Sequence, residues 1–183
     1  FRYAFYSWTS KFLNNVLRNL LIAGVGNVLN SDDAFGPKVL EKYRNPKKEG
    51  LTIIETGIGG INIIQEMLKG YEGLIIIDAY QEGLEPGTLR VLEPKIKDLN
   101  LSKNEIRDYF SDTHYATPEK VLHFLKQTNN LPKFLRILAC EPLSLKPCTL
   151  KMSEKVSNRL NDAVKMLENL VNHFFERKEL VWE

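Results

Sequence analysis

Apolar, β-favouring runs recur along the chain at 19–26 (NLLIAGVG), 51–56 (LTIIET), 74–79 (LIIIDA), 88–93 (TLRVLE) and 134–140 (FLRILAC). Between them, apolar residues fall three and four apart over 33–44, 60–69, 117–128 and 153–176, the mark of amphipathic helices. The last stretch opens on Ser153, a good N-cap, and aligns Val156, Leu160, Ala163, Leu167, Leu170 and Phe174 on one stripe. Strands alternating with helices predict an α/β fold, a three-layer α/β/α sandwich around a mainly parallel, twisted sheet of about five strands. The strand runs carry little polar alternation, as expected of a sheet covered on both faces. EPGTL (85–89) supplies Pro-Gly turn chemistry, so the strand after it is expected to run antiparallel at an edge.

A chain of 183 residues is long enough for one well-buried domain, expected over 19–183. Residues 1–18 form an aromatic N-terminal extension in which Phe5, Trp8, Phe12 and Val16 have helical spacing. It does not resemble a signal peptide; we expect it to pack on the domain or to support a homo-oligomer. Hydrophobic residues make up 43% and charged residues 26%, with a net charge of +2. The densest basic stretch, RNPKKEG (44–50), reads as a solvated turn, so no nucleic-acid partner is expected. LIII (74–77) is far too short to insert in a membrane. Cys140 and Cys148 make neither a disulfide framework nor a Cys-x-x-Cys zinc site, and a reducing cytoplasm is the expected location. Both cysteines are expected in the core.

Ligands of parallel sheets bind outside the carboxyl ends of the strands. Asp32 and Asp33 lie in the loop leaving the first strand, and Asp78 closes the apolar run LIIID. TGIGG (56–60) is a glycine-rich turn after the second strand, and His114 precedes a helix expected to start with Thr117 as N-cap and Pro118 in its first turn. Two carboxylates and an imidazole form an open set for a divalent first-row metal. Each residue also has a purely structural use: Asp32 or Asp33 as a helix cap, Asp78 as an acceptor in its turn, His114 as a loop histidine. His123 and His173 fall within helical patterns and read as structural or exposed.

GVGNVLNSDDAFG (24–36) begins like a dinucleotide turn, but Leu29 stands where the third glycine is required. Gly24 and Gly26 instead permit a tight turn that returns the acidic end of the loop over the strand edge. Such a loop suits a cation better than a phosphate; a nucleotide-binding α/β domain is the remaining alternative from this segment.

Over roughly residues 20–175 the order of motifs resembles the hydrogenase maturation endopeptidases, which process the large subunit of [NiFe] hydrogenases. GVGNVLNSDDAFG resembles their Gly-x-Gly-Asn segment followed by two acids. IIIDA with EPGTL resembles the second-acid strand, SDTHYATPEKVL the Ser/Thr-x-His segment, and CEPLSLKPCTLKMSEKV, more loosely, the closing region. Asp33 stands where the family often has Glu, Ala34 where Gly is commoner, and Pro147–Cys148 where a Gly is expected.

The resemblance implies an aspartic-type endopeptidase that removes a C-terminal peptide from the nickel-loaded large-subunit precursor. Asp33, Asp78 and His114 would contact the nickel and form the catalytic site, with Asp33 preferred as general base. Gly57, Gly59 and Gly60 would form the turn along which the substrate tail lies. It also implies no tightly bound cofactor: the nickel belongs to the substrate, although other divalent metals can occupy such a site. A non-catalytic, nickel-dependent checkpoint or chaperone for the same subunit would use the same three residues.

Overall fold

The computed structural model describes residues 18–43, 48–99 and 117–176. His114 and most of the 1–18 extension therefore lie outside the described residues. The strands are β1 (Leu20–Val25), β2 (Leu51–Gly57), β3 (Gly73–Ala79), β4 (Leu89–Leu92) and β5 (Phe134–Cys140). A 3-10 turn (Ser31–Ala34) leads into α1 (Phe35–Lys42), followed by α2 (Ile61–Met67), α3 (Pro118–Gln127), α4 (Glu154–Ser157) and α5 (Leu160–Glu176).

The sheet order is β2-β1-β3-β5-β4. β1 pairs in parallel with β2 and β3, and β3 with β5. β4 runs antiparallel to β5, with Leu89 opposite Cys140, so the edge strand expected after EPGTL is present. The period of two along each strand divides the core. Leu20, Ile22, Ile75 and Ile77 pack with α1, α4 and α5 on one face; Leu21, Ala23, Leu74 and Ile76 pack with α2 and α3 on the other. Every residue of β1 is buried, as full coverage requires, and each such Leu or Ile contributes about 1.5–3 kcal/mol. β2 departs from the expectation of coverage on both faces. It is an edge strand, and most of its residues are only half-buried.

The expected 153–176 helix is two helices, with a turn at Asn158 and Arg159. Ser153 caps α4 by accepting from the Val156 N–H at 3.3 Å. Val171 joins the buried stripe of α5, where Leu170 is half-buried. Thr117 caps α3 as expected, with Pro118 in the first turn. His123 is buried and His173 exposed. Cys140 is buried in the core, but Cys148 is exposed on a loop, contrary to the expectation for it.

This topology positions the site. The chain leaves β1 for β2 on one side and then crosses to β3 on the other, so its direction reverses between β1 and β3. Crevices open at the carboxyl ends of strands at such a switch point.

Candidate active site

The loop after β1 closes tightly on itself. Gly26 has φ +129°, and a Cβ there would collide with the Asp33 carbonyl oxygen, so only glycine allows the approach. The Asn27 N–H donates to Asp33 Oδ2 at 2.9 Å, and the Asp33 N–H to the Asn30 carbonyl at 3.2 Å. Gly36 then seats α1 directly over the sheet: a Cβ there would strike the carbonyls of Val25 and Ile77. Gly24 is not a turn residue. It lies in β1, where a Cβ would meet the Leu40 side chain at 2.6 Å, so its role is close strand–helix packing.

Asp33 is thereby carried to the switch point, half-buried, across from Asp78 at the end of β3. Asp78 is buried, and its carboxyl is pushed up to about 8. Desolvation is the main cause and the negative charge of Asp33 the second, against a weaker pull from the Ala79 backbone N–H. The pair is therefore divided, with one partly exposed carboxylate and one buried carboxyl that keeps its proton at neutral pH. Carboxyls separated in this way can work as base and acid, or bind a cation together once the proton leaves. Among the described residues no three His, Cys, Asp or Glu side chains gather as a metal site.

Asp32 has a different task. It is wholly buried and caps neither the 3-10 turn nor α1. Its Oδ2 accepts from the N–H groups of Leu143 (2.9 Å) and Ser144 (3.0 Å) and from the Ser153 hydroxyl (2.9 Å). Its Oδ1 accepts from the Ser153 N–H at 2.7 Å. Around this carboxylate the 27–33 loop is joined to the 142–153 segment. The Thr149 N–H donates to the Leu29 carbonyl at 2.8 Å, and the Ser31 N–H to the Thr149 carbonyl at 2.6 Å. Ser31 and Cys148, beside this bridge, both hold φ 55°, a left-handed conformation that non-glycine residues keep only when their surroundings impose it.

Two further acids did not stand out in the sequence. Glu141, buried after β5, accepts from the N–H groups of Glu82 (2.8 Å) and Gly83 (3.1 Å) and fixes the loop after β3. Glu55 lines an open cleft of about 220 Å³ beside the switch point, with Gly26, Asn27, Val28, Gly57 and Ile58. The signal for Glu55 was an acid breaking an otherwise apolar strand just before TGIGG. Gly57 takes φ +58° and its carbonyl accepts the Gly26 N–H at 3.0 Å, so the glycine turn abuts the acidic loop. Gly59 closes the turn onto Thr56, and Gly60 is the N-cap of α2.

A family model described as hydrogenase maturation protease matches residues 37–170. The chain belongs to this family. The hydrogenase expression/formation protein HupD of Rhizobium leguminosarum bv. viciae is 26% identical over 157 residues, 82% of this chain and 74% of that protein. A putative hydrogenase maturation protease of Methanocaldococcus jannaschii is 27% identical over 156 residues, 82% and 94% of the two chains. Among solved structures, the hydrogenase 2 maturation peptidase from Thaumarchaeota archaeon superposes with TM-score 0.57 at 28% identity, covering 84% of this chain and 98% of that one. The fold is also that of the Escherichia coli endopeptidase HybD, with TM-score 0.65 and 24% identity over 85% and 93% of the two chains. As a hydrogenase maturation protease, the chain is a hydrolase of peptide bonds. No helix among the described residues is long and apolar enough to cross a membrane.

Proposed function

We propose that this hydrogenase maturation protease removes a C-terminal peptide from the large-subunit precursor of a [NiFe] hydrogenase and recognises that precursor by the nickel it carries. The reading rests above all on the Asp33–Asp78 pair at the switch point of a chain in this family. Nickel seated in the precursor is offered to Asp33, Asp78 and His114. A cation there favours loss of the proton that burial holds on Asp78, because its charge replaces the missing solvation. Precursor without metal meets a protonated Asp78 and gains no such attraction.

The protease's own residues then align the tail. Gly57, with open space around its Cβ position, leaves room for an extended segment along the cleft, and Gly59 and Gly60 complete the turn beside it. Positioning alone supplies a large part of the rate. Asp33, half-buried and held through the Asn27 N–H, is the general base for the attacking water and hands that proton on to the leaving amine, while Asp78, its own proton released, helps to hold the nickel. The two unpaired cysteines support a reducing, cytoplasmic location.

The test is to incubate the purified chain with the precursor in nickel-loaded and nickel-free forms and to follow the C-terminal peptide by mass spectrometry. Cleavage of the loaded form alone, abolished by His114→Ala, is expected. Intact precursor in both forms, or equal cleavage of both, overturns the proposal.

A further inference from the structure

Among the described residues ten large apolar side chains are exposed, and they are unevenly spread. Eight lie in the loops leaving the carboxyl ends of β1, β2, β3 and β5, the edge that carries Asp33 and Asp78. Leu68 follows α2, and Val91 lies on the edge strand β4. Exposed apolar residues scattered singly need no explanation, whereas a contiguous cluster above a few hundred Å² marks an interaction surface.

The loops that bear them are fastened to one another. Val28 and Ile58 line the same cleft. The Leu29 carbonyl holds the Thr149 N–H, which places Leu150, 75% exposed, beside the β1 loop. Leu143 hangs from the Asp32 carboxylate by its own N–H. On the remaining side the Tyr80 N–H donates to the Cys140 carbonyl at 2.9 Å, so that loop too is tied to the end of β5. The backbone is pinned while the side chains above it are free, an arrangement that costs little ordering on association.

The centre of this edge carries the two carboxyls. A wholly apolar partner would bury them unpaired, at a cost. A second copy of the chain, docked through the same face, would bring like groups toward like. The charge fits a partner whose face is apolar with a cation at its middle.

We propose that these side chains form an apolar docking collar for the precursor face that surrounds its bound metal, so that the collar, in addition to the carboxyls, selects the protein to be cut. The inference rests on the function proposed above and adds the surface that recognises the precursor.

The experiment measures steady-state cleavage of nickel-loaded precursor by the full chain carrying Leu143→Ser with Leu150→Ser and, separately, Leu29→Ser with Ile58→Ser. Leu68→Ser with Val91→Ser is the control. Each collar pair is expected to lower kcat/KM about tenfold or more, with the loss carried in KM, while the control pair changes neither. Leu150→Ser alone, the most exposed change, decides the matter should a pair fail to fold. Wild-type KM in the collar variants overturns the collar and leaves the functional reading intact. A wild-type chain that does not cut the precursor overturns that reading and the collar with it. A dimer dissolved by the same substitutions, with KM unchanged, assigns the face to a second copy and overturns the proposal.

Discussion

Asp32 and Ser153, separated by 121 residues, meet twice: the serine N–H donates to one carboxylate oxygen and its hydroxyl to the other, at 2.7 and 2.9 Å. The same hydroxyl accepts the Val156 N–H and so starts α4. One buried carboxylate thus joins the loop of the candidate base to the segment that closes the fold.

Removing it should be costly. Asp32→Ala leaves the partly buried Leu143, Ser144 and Ser153 donors without this acceptor, each worth up to about 1–3 kcal/mol, and we expect about 2–4 kcal/mol in all. Asp32→Asn keeps the shape but turns an N–H toward donors, and should lose less. Urea denaturation of the three proteins measures the series. Equal stability of wild type and Asp32→Ala contradicts the structural role.

Asp78 makes stability depend on pH in a definite direction. Its carboxyl titrates near 3.8 when unfolded and at about 8 when folded, so between those values the folded chain holds a proton that the unfolded chain has released. Its stabilising contribution is full below the lower value and is lost as the pH rises, by at most about 1.4 kcal/mol per pH unit. Asp78→Asn should therefore be more stable than wild type at about pH 8, indistinguishable from it near pH 3, and inactive in processing. Denaturation midpoints in the presence of a chelator check this; parallel pH profiles for the two proteins would remove the burial argument.

Glu141 acts in the opposite sense. The Glu82 N–H, together with those of Leu84 and Gly83, holds its carboxyl below the usual 4.5. Its contribution is present above pH 4.5 and is lost as the pH falls below that value. Glu141→Gln should abolish this acid-side loss and speed proteolysis within the 80–87 loop. An unchanged digestion pattern counts against the anchoring role.

Much of this was legible because the strands are crowded by the fold. LLIA and LIII are apolar throughout since helices cover both faces, and the carboxyl-end rule then puts Asp33 and Asp78 on one edge. The task of Asp32 was not legible: its donors lie 111 to 121 residues away, and locally it reads as a helix cap. The interruption at Asn158–Arg159 has no glycine or proline to announce it. Glu55 was hidden in a strand pattern, because whether an acid at a strand end faces a cleft depends on the neighbouring loop.

The two cysteines should separate by reactivity. Burial, reinforced by the charge of Asp32, pushes the Cys140 thiol up to about 12, while Cys148 stands exposed on its loop. Iodoacetamide should label Cys148 in the native chain and Cys140 only after unfolding, read by peptide mapping. Cys148→Ser should process precursor at the wild-type rate, since the mechanism assigns it no nucleophile. Loss of processing would reopen covalent catalysis.

Gly26 tests whether the closure of the β1 loop sets Asp33. An alanine there meets two penalties: a φ of +129° that suits only glycine, and a Cβ driven into the Asp33 carbonyl. Gly70 offers the matching control, since it has φ +93° but open space around its Cβ position. Both substitutions carry conformational strain of about 1–3 kcal/mol, and only Gly26→Ala must also displace Asp33. A shift of about 1 Å at a reacting group can cost about a hundredfold in rate. We therefore expect Gly26→Ala to lose processing by more than tenfold while Gly70→Ala, comparably destabilised, keeps it. Assays well below both melting transitions separate the effects. Equal activity in the two variants would show that Asp33 does not depend on the close approach of Gly26.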